Sequence, residues 1–320
     1  MTGRINPIAL KDVIVATVMP FHPDSAIDWD SYARLLDYCV TPDGISAVFV
    51  NGHAGEASAL TDDERLQVIE FTSQHIGRTR TLLAGIIAFS AADAFKQASE
   101  AARAGAEVVV SFPPPTFAAG GTLTPDAPIA WITALARAGV PISIFQYPLA
   151  SGCGYSTETL VEIAKIPGVI AIKEGSDTIT AYEDNWRKVK AANSKVAILP
   201  SNFDWFLAQL AVGADGILSG LASLAPHLLI EIWHATQKCD LVAMRRANDR
   251  LYPIVRSIYG RPPRMDMHTR IKVALRHLGV ITCAMPRLPL LPVKPAVEAD
   301  VVRAVDAANL RAHVRHSAIA

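Results

Sequence analysis

Val169-Ile170-Ala171-Ile172-Lys173-Glu174-Gly175 is a short apolar run that stops abruptly on two charges and a glycine. It is near-continuous in apolar character, as expected of a parallel strand covered on both faces. Alternation places Val169, Ala171 and Lys173 on one of those faces. A parallel strand needs neighbours, and seven more such runs occur: Val13–Val18, Ile45–Val50, Leu82–Ile87, Glu107–Ser111, Ile142–Tyr147, Val196–Leu199 and Gly216–Ser219. Longer alanine-rich stretches with helical spacing separate them. Eight strand–helix units from about residue 13 to about 237 predict an α/β protein, a (β/α)8 TIM barrel. The competing doubly wound sheet finds no G-x-G-x-x-G at any strand–helix turn.

Helix boundaries are written in the same stretches. Thr61 and Glu64 have capping-box spacing, Ser90 with Asp93 repeats it, and Thr124-Pro125 predicts a cap followed by proline at the first helical position. Gly105 and Gly139 are the expected stops. Beyond the barrel (1–237), residues 238–320 read as a C-terminal helical domain with helices at Leu241–Ile258, Thr269–Leu278 and Val297–His313. Pro262-Pro263 and Pro286, Pro289, Pro292 and Pro295 mark its breaks and connectors.

The chain has 320 residues, 51% hydrophobic and 19% charged, with 30 basic and 30 acidic side chains and a formal net charge of +0. That balance excludes a disordered chain and leaves no basic excess for nucleic acid. No apolar run reaches the ~18–20 residues of a membrane helix. The start, with Arg4, Asn6 and Pro7, lacks the order of a secretory signal. Cys39, Cys153, Cys239 and Cys283 are scattered and form no C-x-x-C, so they read as reduced thiols of a cytoplasmic protein. Arg303, Arg311, His313, Arg315 and His316 near the C-terminus read as a solvated helix face.

Chemistry in such a barrel sits at the C-terminal ends of the strands. Lys173 is either a lysine snorkelling to solvent or, if its face points inward, an amine whose pKa desolvation lowers until it can attack a carbonyl. After the second strand comes Asn51-Gly52-His53-Ala54-Gly55-Glu56. Its two glycines are expected to turn the backbone and present N–H groups to an anion, unless this is an ordinary turn. Ser143, Phe145 and Tyr147 share a face of the fifth strand. Tyr147, nearest the end, is either a proton donor and acceptor or an aromatic filling the mouth. Leu218, Ser219 and Gly220 end the eighth strand. The nine histidines hold no H-x-H and no H-E-x-x-H. A His53, His22 and Glu56 cluster is the one metal arrangement considered, and nothing in its spacing requires a metal.

Together these elements resemble the dihydrodipicolinate synthase and N-acetylneuraminate lyase superfamily of class I aldolases. The resemblance rests on Val15-Ala16-Thr17 with Pro20-Phe21, on the Asn51–Glu56 loop with Leu60-Thr61 and Glu64-Arg65, and on Ala104-Gly105-Ala106. It continues through Pro148, Ser151 and Gly152, Ile172-Lys173-Glu174, and Gly213-Ala214-Asp215-Gly216. It implies a barrel with a helical C-terminal domain, assembled as a homotetramer or homodimer. It also implies a Schiff base between Lys173 and pyruvate or another 2-oxo acid, whose carboxylate the loop binds, with no metal or cofactor required.

Four positions depart from the family pattern. The hydroxylated pair inside the loop is His53 and Ala54. The family tyrosine aligns with Phe145, two residues before Tyr147. The arginine after the fifth-strand proline is Ala150. The aromatic pair after strand four is replaced by Pro113, Pro114 and Pro115. These departures argue against dihydrodipicolinate synthase activity proper. They point to a class I lyase with Lys173 and Tyr147 as catalytic residues, and with Gly52, His53, Ala54, Gly55, Phe145, Leu218 and Gly220 around the substrate. His53 is the second choice for proton transfer. A 2-oxo-3-deoxy sugar acid dehydratase using the same lysine, or a catalytically retired 2-oxo acid binding protein, are the alternatives.

Overall fold

The computed structural model describes residues 8, 10–201 and 203–311. Eight strands run β1 Asp12–Ala16, β2 Ile45–Val50, β3 Thr81–Ile86, β4 Val108–Ser111, β5 Ile142–Phe145, β6 Val169–Glu174, β7 Ala197–Pro200 and β8 Gly216–Ser219. All seven ladders are parallel, in the order β7-β6-β5-β4-β3-β2-β1-β8. The helices that cover them are α1 Trp29–Val40, α2 Asp62–Ile76, α3 Ala91–Arg103, α4 Asp126–Ala136, α5 Thr157–Ile163, α6 Ile179–Ala192, α7 Phe206–Val212 and α8 Pro226–Gln237. This is a (β/α)8 TIM barrel.

The seam between β7 and β8 is bridged by Asp215, through both its backbone and its side chain. The Asp215 amide donates to the Ile198 carbonyl at 3.0 Å, and the Ile198 amide donates to the Asp215 carboxylate at 2.8 Å. Lys190 of α6 then neutralises that carboxylate at 3.0 Å. A charge-assisted pair thus bridges the two terminal strands of the sheet.

Local chemistry sets the helix ends largely as expected. Thr61 and Glu64 form the full capping box, and Ser90 accepts from the Asp93 amide. Gly105 and Gly139 hold positive φ just past their helices. Thr124 does not cap α4. Pro125 already has helical dihedrals, so the hydroxyl lies one residue too far out, and no side chain caps that end.

Beyond α8 come α9 Leu241–Ile258, α10 Met267–Leu278 and α11 Pro295–Ala307. Proline 253 lies inside α9, on its exposed side. The last helix ends earlier than expected, and His313, Arg315 and His316 lie outside the described residues, as do Arg4, Asn6 and Pro7. Among the described residues no helix is long and apolar enough to cross a membrane.

α10 is docked by buried charges. Lys272 is ion-paired with Glu56 at the end of the β2 loop, and both side chains are at most 1% exposed. The ammonium also donates to the Met19 and Met285 carbonyls at 3.2 and 2.7 Å and lies 4.7 Å from the Phe21 ring centre. Arg287, in the connector before α11, forks onto Glu64 with two 2.7 Å bonds. Its own amide donates to Glu56 at 2.9 Å. A buried ion is tolerable only when it is paired, and here Lys272 and Glu56 face each other while Arg287 faces Glu64.

Candidate active site

A cavity of about 250 Å³ opens at the C-terminal end of the barrel. Lys173 projects into it from the end of β6, so the inward alternative holds. Register pairs Lys173 with Phe145 on β5, and the amine nitrogen lies 4.1 Å from that ring's centre. It donates to Ser201 Oγ at 3.1 Å and, among the described residues, has no carboxylate partner within ion-pair distance. Desolvation lowers its pKa from 10.5 to about 7, and the nearby Glu174 charge opposes this only in part. Glu174 points to the other side of the strand. There it accepts from the Ser176 hydroxyl, from the Ser176 amide at 3.1 Å and from Asn185 of α6 at 2.9 Å. Burial still pushes its carboxyl up.

Tyr147 follows β5 directly. Gln146 holds that turn in place: its amide group donates to the Tyr155 carbonyl at 2.8 Å and accepts from the Tyr155 amide at 3.0 Å. The Tyr147 hydroxyl reaches across the mouth and hydrogen-bonds His53 Nε2. Burial raises the phenol pKa. The phenol is therefore protonated and donates, which assigns the proton of neutral His53 to Nδ1. Phe112, Phe145 and Tyr147 hold the imidazole edge-on at 4.9, 5.4 and 5.6 Å between ring centres. That packing, and then the Lys173 charge, lower the His53 pKa, while the ring stays open to the cavity.

The loop is turned differently from the expectation. Its positive-φ residues are Asn51 and Glu56, at φ 56° and 50°, and not its glycines. Asparagine tolerates this region, and Glu56 is held there by Lys272 and the Arg287 amide. The loop depends on Gly85 of β3, where a Cβ would lie 2.0 Å from the Asn51 carbonyl oxygen, and on Gly52, where one would lie 2.7 Å from the Phe49 ring. Among the described residues the amides of Ala54 and Gly55 donate to no protein acceptor.

His53, Ala54, Phe145, Tyr147, Lys173 and Gly220 line the cavity, and Ser219 joins them. Gly52 and Gly55 contribute backbone behind it. Leu218 is fully buried within the barrel and does not reach it. Glu56, the acid considered for a metal with His53 and His22, is engaged by Lys272 and does not line the cavity. Among the described residues no group of three His, Cys, Asp or Glu side chains is placed to hold a metal.

Several cavity residues were not foreseen, among them Ser201, Tyr259, His268 and Arg264. His268, the second residue of α10, is 9% exposed and faces the cavity, and burial lowers its pKa to about 3. Arg264 stands at the rim, ion-paired with Asp204. Both lie beyond the barrel strands, and only the docking of α10 brings them here.

The comparisons with known proteins agree with this geometry. The sequence profile of the Dihydrodipicolinate synthetase family matches residues 9–308. A 4-hydroxy-tetrahydrodipicolinate synthase of Neisseria gonorrhoeae is 26% identical over 94% of this chain and 99% of its own length. That of Kineococcus radiotolerans is 29% identical over 91% and 92%. Among solved structures, dihydrodipicolinate synthase from Thermotoga maritima superposes with a TM-score of 0.86, at 23% identity over 95% of this chain and 100% of that one. YagE, a prophage protein of E. coli K12 solved with pyruvate, gives 0.85 at 21% identity over 94% and 99%. With the profile spanning nearly the whole chain, the protein belongs to the dihydrodipicolinate synthetase family.

Proposed function

We propose that the protein is a class I, metal-independent lyase that forms a Schiff base between Lys173 and a 2-oxo acid, with a substrate other than that of dihydrodipicolinate synthase. The observation that carries this is a lysine amine at the mouth of an aromatic-lined barrel, without a carboxylate partner and with its pKa brought to about 7. At neutral pH much of it is the free amine that attacks a carbonyl. The 2-oxo carbon adds the amine and loses water to give an iminium. For a 4-hydroxy-2-oxo acid, Tyr147 takes the C4 hydroxyl proton as its own proton passes to His53 Nε2. The C3–C4 bond then breaks, its electrons enter the iminium as an enamine, and an aldehyde leaves. The proton returns through Tyr147 to C3, and water releases pyruvate and regenerates Lys173.

The free amides of Ala54 and Gly55 suit the carboxylate. Ala150 supplies no cation for a second acidic group. The helices after residue 237 form the appended unit, α10 completing the site. The assembly is a homotetramer or homodimer in the cytoplasm, where the four thiols, all unpaired here, stay reduced.

The test is turnover of a panel of 4-hydroxy-2-oxo acids and 2-oxo-3-deoxy sugar acids. Pyruvate release supports aldol cleavage. Loss of the sugar acid without pyruvate assigns a dehydratase. Protection of the fold by 2-oxo acids with no turnover identifies a retired binding protein and refutes the lyase.

A further inference from the structure

We propose that His268 of α10 is a substrate-binding residue that receives the carboxylate of the 2-oxo acid. The proposal rests on the Schiff-base reading of Lys173. A 2-oxo acid joined to Lys173 carries its carboxylate directly on the imine carbon, so that charge must lie within the same cavity. Cations able to meet it are scarce: Arg264 is held by Asp204, and Lys173 is consumed by the bond.

Ser201 donates to the Glu174 carbonyl, and Ser219 and Tyr259 bond one another, which leaves the loop amides and two imidazoles. Tyr147 occupies Nε2 of His53 and leaves that ring only its Nδ1–H, while the His268 ring has no hydrogen-bond partner among the described residues. Its position beside the loop is marked by Gly220 at the end of β8. A Cβ on Gly220 would lie 3.4 Å from Ala54 Cβ and 3.5 Å from His268 Nε2. The imidazole therefore borders the same small space as the loop residue whose amide is free, and the missing Cβ keeps that space open. A neutral imidazole there donates one N–H to an anion, and buried as it is, it donates in a weakly screened setting. Its other role, plain core filling, is disfavoured by a polar ring left unpaired against a cavity.

The experiment is borohydride trapping across a range of pyruvate concentrations, and in parallel with methyl pyruvate, which has the same carbonyl and no charge. His268→Phe removes the donor and is expected to raise the half-saturating pyruvate concentration about 10- to 100-fold, the worth of one charge-assisted hydrogen bond. The value for methyl pyruvate stays within about twofold. His268→Gln, which keeps an N–H donor, recovers most of the loss. Should the phenylalanine variant not fold, His268→Ala carries the same expectation. Equal weakening for both ketones, or none for pyruvate, overturns the assignment of His268. Failure of the wild-type protein to trap either ketone overturns the Schiff-base reading itself, and the assignment falls with it.

Discussion

Replacing Lys173 with methionine is expected to stabilise the fold while abolishing any Schiff base. A tenfold change in proton affinity is worth ~1.4 kcal/mol. A lysine pKa brought from 10.5 to about 7 therefore corresponds to between about 4 and 5 kcal/mol of strain on the protonated form. Lys173 is partly open to the cavity, where water screens the charge, and methionine forfeits the Ser201 hydrogen bond. A net gain of about 2 kcal/mol at pH 7 remains. The sign with pH follows from the depressed value. The unfolded chain holds a proton that the folded chain sheds, so this group's contribution is whole above about 10.5 and is lost as pH falls toward 7. The advantage of Lys173→Met is therefore largest at pH 7 and shrinks as pH rises toward ~9.5. Urea unfolding of both proteins at the two pH values measures it. A variant less stable than wild type at pH 7, or a difference that does not move with pH, refutes the neutral-amine argument.

Tyr147→Phe is expected to lower kcat about 10²- to 10³-fold while pyruvate still traps on Lys173, because proton transfer is lost and amine attack is not; trapping rates and turnover separate the two. Lys272→Met strands the Glu56 charge in the core and is expected to cost about 3–5 kcal/mol. Adding Glu56→Gln should recover part of that in a double-mutant cycle of urea midpoints. Asp215→Ala removes the side-chain bond across the β7–β8 seam and the Lys190 pair, with an expected loss of about 2 kcal/mol in the same assay. Turnover should be unchanged by a chelator, since every step assigned to Lys173, Tyr147 and His53 is carried by side chains.

The barrel was legible because each strand is a short apolar run set between helical stretches. Ile45–Val50 and Gly216–Ser219 have the bounds read from sequence, and the other strands differ at their ends by one or two residues. Even α9 matches its expected span, since an exposed proline at 253 leaves its buried stripe intact. Lys173 was legible as a cation ending an apolar strand. What was hidden is tertiary. The helix signal for α10 begins at Thr269, so His268 looked like a connector residue until docking turned it into the barrel mouth. The loop's turn was assigned to its glycines, whereas the left-handed residues are Asn51 and Glu56. A glutamate there is sustained by a lysine and an arginine far along the chain, and no local pattern announces them. The Tyr147–His53 contact likewise joins the ends of two strands that are not neighbours in the sheet.

The central claim is that Lys173 is the nucleophile. Incubation with pyruvate and borohydride, followed by intact mass and peptide mapping, tests it most directly. One reduced pyruvyl adduct per chain is expected, on Lys173 and absent from Lys173→Met. A folded wild-type protein that acquires no adduct with pyruvate or any other 2-oxo acid, or carries it on another lysine, contradicts it.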